Sequence, residues 1–362
     1  MDSISDDSVL TKPTYQNGVY GNPWDCYQWP SFKRIFSFLW KLHITSEKIP
    51  SKQILDQRLP VERPDFNKLS NPPTSGIQTT WFGHATVLVQ FDGISILTDP
   101  VFSERCSPFS WIGGNRRYRP VPCEVEELPK VDIVLISHSH YDHLDYSSVQ
   151  KLNAKFGDSL HWFVPVGLKS WMISTGCQKV TELSWWKEVK LEKKEEYLIA
   201  FTPTQHWSGR SLFDRNKSLW GSWLVKGQNN TFFFAGDTGY CEEFKKIGKK
   251  YGPITLAAIP IGAYDPRDFL RHHHVSPEEA VQIQTDVQAK YSLGIHWGTF
   301  RMAIEPYDEC VGRVTQAIRE RKLQPGSFFT LIHGHMATVG EIIIMRLINA
   351  CVYIFLSCVH QI

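Results

Sequence analysis

The chain lacks the marks of several large protein classes. Its 39 Lys plus Arg are balanced by 37 Asp plus Glu, a net charge of +2. A nucleic-acid binder usually carries a clear basic excess, so no nucleic acid is expected as a partner. None of the eight cysteines falls in a CxxC pair. A chain of 362 residues needs no disulfide framework, so free thiols in a reducing compartment are expected. The opening MDSISDD has no basic run followed by an apolar one. A secretory leader is therefore not expected, and the protein reads as intracellular and not secreted. There is no internal repeat and no low-complexity tract. A clean membrane span is missing too. Ile342 to Val359 is nearly all apolar, but Arg346 and Asn349 interrupt it. A span needs about 20 apolar residues, and a central Arg costs roughly 2.5–3.5 kcal/mol on insertion scales. Residues 336–362 therefore read as an atypical apolar tail.

What is present is an ordinary globular composition, 42% hydrophobic and 13% aromatic, with material for a large core. Residues 1–75 are rich in Pro, Asn and Ser and read as an extension. Within it, Phe32, Ile35, Phe36, Leu39 and Leu42 recur at helical spacing beside Lys33, Arg34 and Lys41. That pattern predicts a basic amphipathic helix over 31–42. Two uses remain open for it: packing on the domain, or lying on an anionic membrane surface. Residues 76–335 read as the catalytic domain. There, apolar runs rich in Val, Ile, Phe and Thr predict buried strands at 79–83, 86–91, 94–98, 131–137, 197–202, 231–236 and 256–260. Helices are predicted between and after them, at 146–154, 167–174, 241–251, 277–289 and 308–322. This alternation argues for a layered α/β fold with helices outside two sheets.

The decisive stretch follows the strand Val131 to Ile136. It reads Ser137-His138-Ser139-His140-Tyr141-Asp142-His143-Leu144-Asp145. Four nitrogen and oxygen donors of the kind zinc accepts, His138, His140, Asp142 and His143, sit just beyond a strand end. A strand end fixes the backbone, so the imidazoles converge. Three more candidates occupy equivalent places: His206 in TPTQHW, Asp237 in FFFAGDTGY and His296 in YSLGIHWGT. Each lies just past an apolar strand, as a site built on a rigid scaffold requires.

Taken together, the HxHxDH motif, the later His, the GDTG Asp and the final His resemble the metallo-β-lactamase superfamily, whose fold is an αββα sandwich. Further stretches, TWFGHAT at 80–86, LTDP at 97–100, ISHSHYDHLDY at 136–146 and IHWGTF at 295–300, resemble the N-acylphosphatidylethanolamine-hydrolysing phospholipase D family. Asn22-Pro23-Trp24 and the helix start Pro277-Glu278-Glu279-Ala280 fit as well. The resemblance implies a metal-dependent phosphodiester hydrolase with two zinc ions per chain. It implies cleavage of N-acylphosphatidylethanolamines to N-acylethanolamines and phosphatidic acid. His138, His140 and His206 would hold one ion, and Asp142, His143 and His296 the other, with Asp237 bridging. His84 and Asp99 would support the ligands from behind. Asp142, Asp237 and His274 would carry the chemistry, and His274 and Tyr141 would contact substrate. The resemblance also implies a homodimer on the cytosolic face of an intracellular membrane, with Golgi and endosome as candidate organelles.

The chain departs from that family at His273, where Gln is usual, and at His335, where an acidic residue is usual. The same ligands would serve a sugar-phosphate lactonase, because function lives in the pocket grafted on the fold. A non-catalytic membrane-tethered scaffold is the third reading.

Overall fold

The computed structural model describes residues 10–24, 27, 29–44, 49–108, 113–191, 194–211 and 213–339. Two seven-stranded sheets stack face to face. In the first, the strands run in the order Lys179–Leu183, His161–Pro165, Ile133–Leu135, Ile94–Thr98, Thr86–Phe91, Ile77–Gly83 and Met336–Thr338. In the second, the order is Lys187–Leu191, Lys194–Thr202, Ser222–Lys226, Thr231–Phe234, Ile254–Pro260, Ala289–Ile295 and Phe328–Phe329. Each sheet joins an antiparallel half to a parallel half. The first turns parallel where Ile94–Thr98 meets Ile133–Leu135, the second where Thr231–Phe234 meets Ile254–Pro260.

Period-two alternation sets the layers, because successive side chains in a strand point to opposite faces. Ile133 and Leu135 join the core between the sheets, with Phe201, Trp223 and Phe234. Val134 and Ile136 face the other way, toward Val149, Leu152 and Met172 of the helices Tyr146–Phe156 and Lys169–Ser174. Helices Glu243–Tyr251, Pro277–Asp286 and Glu309–Glu320 complete the second outer layer. The chain thus forms the αββα sandwich, with central strands buried on both faces, as continuous apolar runs demand.

Several expectations need correction. The helix predicted to run to 289 ends at Asp286, and Ala289 opens a strand. Gln288 between them has φ of 57°, a left-handed turn that reverses the chain. The strands His161–Pro165 and Ser222–Lys226 were not predicted; each is short and ends in a residue atypical of strands. Residues 51–75 are no loose extension. Helices Lys52–Arg58 and Phe66–Ser70 bury Leu55 and Leu69, and Leu59 enters the central core. Met336–Thr338 pairs antiparallel with Ile77–Gly83, so the catalytic fold continues past 335. The apolar stretch 342–359 lies outside the described residues. Among the described residues, no helix is long and apolar enough to cross a membrane.

The amphipathic helix spans Phe32–Ile44. Its predicted apolar stripe is divided: Phe32, Phe36 and Leu39 are 91%, 70% and 55% exposed, while Ile35 and Leu42 turn toward the body. The half-buried positions are Ile35, Phe38 and Leu42.

Candidate metal centre

Every predicted ligand lies at one edge of the sandwich, beyond strand ends of both sheets. The first sheet delivers His138, His140, Asp142 and His143 after Ile133–Leu135, Asp99 after Ile94–Thr98, and His84 in the turn between Ile77–Gly83 and Thr86–Phe91. The second delivers His206 after Lys194–Thr202, Asp237 after Thr231–Phe234, and His296 after Ala289–Ile295. Such a crevice outside the carboxyl ends of strands is where open α/β sheets bind ligands.

Several of these turns hold unusual backbone. His84, Asp99 and His296 have φ of 51°, 30° and 62°. Non-glycine residues there carry strain that persists only where the surroundings over-determine it, which is common at functional sites. Gly236, at φ 61°, has a different reason: a Cβ would stand 2.6 Å from that of Ser137. Glycine lets Asp237 approach the HxHxDH strand.

Two groups of donors result. The ligating atoms of His138, His140 and His206 lie within 4.8 Å of one another, as do those of His84, Asp142, His143 and His296. His138 Nε2 is 2.8 Å from His140 Nδ1, which is 3.3 Å from His206 Nε2. In the other group, Asp142 Oδ2 is 3.2 Å from His143 Nε2 and 3.5 Å from His296 Nε2. Asp237 Oδ2 reaches both groups: 3.1 Å to His143 and His296, 3.9 Å to His138 and 3.8 Å to His206. His143 Nε2, His296 Nε2, His140 Nε2 and Asp237 Oδ1 are buried without hydrogen-bond partners. Buried polar atoms are normally satisfied. Orphaned imidazole nitrogens converging on carboxylate oxygens fit a divalent cation that takes N and O ligands.

Supporting groups fix the rings from behind, which sets tautomer and aim. His138 Nδ1–H donates to Ser137 Oγ at 2.8 Å, and that hydroxyl donates to Asp99 Oδ2 at 2.5 Å. His143 Nδ1–H donates to the same oxygen at 2.6 Å. His206 Nδ1–H donates to the His273 carbonyl at 2.8 Å. His84 Nε2–H donates to Asp142 at 2.9 Å, and the His84 carbonyl accepts from the backbone N–H of His296, also at 2.9 Å.

Charge follows from these contacts. Burial and the neighbouring imidazoles hold His138 well below the usual histidine range. Burial also pushes His140 down to about 4 and keeps His206 low, outweighing the pull of nearby carboxylates. Burial opposes charge on Asp142 and Asp237, but the imidazoles around them, His143 foremost, keep both ionised. The reciprocal effect raises His143 and pushes His296 up to about 9, with Asp237 the leading cause against burial. A cation bound there replaces those protons.

His274 joins the site. Its Nδ1 stands 3.8 Å from Asp237 Oδ2, buried and without a hydrogen-bond partner, and burial lowers its pKa to about 4. Tyr141 does not join it. Its hydroxyl donates to the Arg210 carbonyl at 2.9 Å, and the Arg210 guanidinium lies 4.1 Å over its ring. Arg210 Nη1 also donates to the Ser139 and Leu144 carbonyls at 2.9 and 2.6 Å, lacing the ligand loop. Sequence reasoning missed Arg210, Ser137, and Trp207, whose ring lies 4.1 Å from that of His140. It also missed Asn22, whose amide donates to the His206 carbonyl at 2.7 Å. Ser137 and Trp207 adjoin ligands in sequence, and Asn22 lies in the Asn22-Pro23-Trp24 stretch that fits the family, so a signal was available for these three; Arg210 gave none.

Fold and site together define a metal-dependent hydrolase of the metallo-β-lactamase class. The family description "Beta-lactamase superfamily domain" matches residues 95–297. An isothiocyanate hydrolase from Delia radicum gut bacteria aligns with a TM-score of 0.57 at 18% identity, covering 72% of this chain and 99% of the other, a likeness of fold alone. The N-acyl-phosphatidylethanolamine-hydrolyzing phospholipase D 1 of Caenorhabditis elegans is 42% identical over 349 residues, 92% of this chain and 96% of the relative. The mitochondrial enzyme of the same name from Saccharomyces cerevisiae is 42% identical over 237 residues, 64% of this chain and 50% of the relative. The chain belongs to the N-acylphosphatidylethanolamine-hydrolysing phospholipase D family.

Proposed function

We propose that this chain is a two-zinc phospholipase D that hydrolyses N-acylphosphatidylethanolamines to N-acylethanolamines and phosphatidic acid. The observation that carries the reading is the place of Asp237, one carboxylate oxygen within 3.1–3.9 Å of imidazole nitrogens from both donor groups. The names of the worm and yeast relatives support the substrate. His138, His140 and His206 would hold one ion, Asp142, His143 and His296 the other, and Asp237 both. When bound, the ions polarise the phosphodiester and make water acidic enough to act as nucleophile near neutral pH. Asp142 and Asp237, kept ionised, orient that water and take up its proton. His274, kept neutral, offers a ring N–H to a non-bridging phosphoryl oxygen. One water is consumed: its oxygen joins phosphorus, and a proton passes to the departing N-acylethanolamine oxygen.

The exposed Phe32, Phe36, Leu39, Trp40 and Ile44, with Lys33 and Lys41 on the same helix, support docking on an anionic phospholipid surface. The reading includes a peripheral protein on the cytosolic face of an intracellular membrane. Among the described residues, the buried Cys106, Cys123, Cys177 and Cys310 form no disulfide, which accords with a reducing compartment. A homodimer is proposed on family grounds, and sedimentation checks it. The central test incubates zinc-loaded protein with N-acylphosphatidylethanolamine vesicles and assays N-acylethanolamine. Full activity after the metal has been stripped and kept away would sink the reading.

A further inference from the structure

The surface helix Phe32–Ile44 is fastened to the body at points that converge on the loops that carry the chemistry. Phe38 stacks on Phe269, ring centroids 4.5 Å apart and planes within 7°. The Arg34 guanidinium donates to the Asp268 carbonyl. At the other end, the Leu42 carbonyl accepts from Arg301 Nη2 at 2.6 Å. Just before the helix, the rings of Tyr27 and Trp29 meet His273 edge-on at 5.5 and 5.7 Å. Beneath Phe38 lies a small apolar cluster of Ala263, Leu270 and Ala303, separate from the two main cores.

These attachment points are close to the reacting groups along rigid backbone. Phe269 and Leu270 belong to the short helix Arg267–Leu270. The backbone N–H groups of His273 and His274 both donate to the Leu270 carbonyl at 2.8 Å, so this turn carries His274 as a unit. The His273 carbonyl in turn aims His206. Arg301 follows His296 by one short loop. The opposite face of the surface helix, with Phe32, Phe36, Leu39 and Trp40, is largely exposed. One face thus reads the surroundings and the other grips the catalytic loops.

We infer that the helix Phe32–Ile44 positions His274 through the Phe38–Phe269 stack, so that seating the helix on a lipid surface orders the His273–His274 turn and raises turnover. This deepens the phosphodiesterase reading and rests on it. Phe38 and Phe269 are positioning residues, acting through His274. A ligand shifts an equilibrium only through contacts that differ between the two states. An aromatic stack is a modest contact, so the gain it transmits is about 2- to 10-fold.

The test uses a short-chain N-acylphosphatidylethanolamine kept monomeric, assayed with and without anionic vesicles that contain no substrate. Wild-type kcat should rise about 2- to 10-fold with vesicles at unchanged KM. Phe38→Ala should bind vesicles as wild type does, because its exposed face is untouched, yet show no rise; Phe38→Tyr should restore it. Hydrogen exchange at the amides of 271–274 provides a readout independent of activity. Vesicles should slow it in the wild type and not in Phe38→Ala. Phe269→Leu serves as the second probe if Phe38→Ala fails to fold. A wild-type enzyme that binds vesicles and turns over the monomer at an unchanged rate overturns the inference. So does a Phe38→Ala enzyme stimulated as strongly as wild type. Absence of any turnover by the metal-loaded wild type would instead remove the phosphodiesterase reading, and this inference with it.

Discussion

Asp99 Oδ2 lies 2.6 Å from His143 Nδ1, and both side chains are wholly shut from solvent. The same oxygen takes the Ser137 hydroxyl that steadies His138. One carboxylate therefore aims a ligand of each donor group. Removing it leaves two imidazoles without orientation, and loss of such a partner typically costs about 10–100-fold in metal affinity or activity. Asp99→Ala should show that loss, with zinc falling below wild-type content in a folded protein. Normal zinc content and rate by elemental analysis and assay would mean that Asp99 only shapes its turn.

Asp237 should be more sensitive. Asp237→Asn keeps the shape but withdraws the one negative charge that both donor groups share, and an amide bridges cations poorly. Activity should drop by orders of magnitude, beyond the roughly 10–100-fold expected for His84→Ala. Zinc content measured in parallel should fall toward one ion. Two retained ions with a near-normal rate would rule out the two-metal mechanism.

The raised imidazoles set a pH dependence. In the metal-free protein His296 titrates at about 9, above its ordinary 6.5, and His143 is raised as well. Their protonated pairing with Asp142 and Asp237 stabilises the fold fully below pH 6.5. It is lost as pH rises through about 9. Zinc needs those nitrogens deprotonated, so its affinity rises over the same window. The gap in melting temperature between zinc-loaded and zinc-stripped protein should therefore widen from pH 6.5 to about 9. Calorimetry showing a constant or narrowing gap would refute this proton exchange.

The metal ligands were legible because each is announced locally: an apolar strand, then His or Asp. The sandwich was legible for the same reason, since central strands such as Thr86–Phe91 and Ile94–Thr98 are continuous apolar runs. What could not be read depends on closure of the fold. The backbone carbonyl of His273 that aims His206 carries no side-chain signature. Tyr141 sits inside the motif, yet its hydroxyl is claimed by Arg210, far along the chain. On the surface helix, periodicity found an apolar stripe but not which side the body takes. The partner of Phe38 is Phe269, and nothing near residue 38 announces it.

That exposed stripe gives a separate prediction. Phe36 and Leu39 are 70% and 55% exposed, so replacing both with Asp should leave the melting temperature nearly unchanged. Charges on a face that enters the lipid boundary are costly, so binding to anionic vesicles should weaken. Sedimentation with vesicles measures it. Unchanged binding by the folded double variant would assign lipid contact to another surface.

His274 separates substrate contact from metal binding. Its Nδ1 lies 3.8 Å from Asp237 and its ring 5.2 Å from that of His296, close enough to be taken for a ligand. The seven other donors already supply both groups, and burial keeps this imidazole neutral, with one ring N–H still available to a phosphoryl oxygen. His274→Ala should therefore retain zinc while kcat falls about 10²–10⁴-fold, the usual worth of a positioned proton-transferring or donor group. His274→Gln, which keeps an N–H of similar reach, should recover part of that loss. Zinc content by elemental analysis and kcat are measured on the same preparations. If His274→Ala loses an ion together with its activity, His274 is a metal ligand and the phosphate contact must be sought elsewhere along the 271–275 turn.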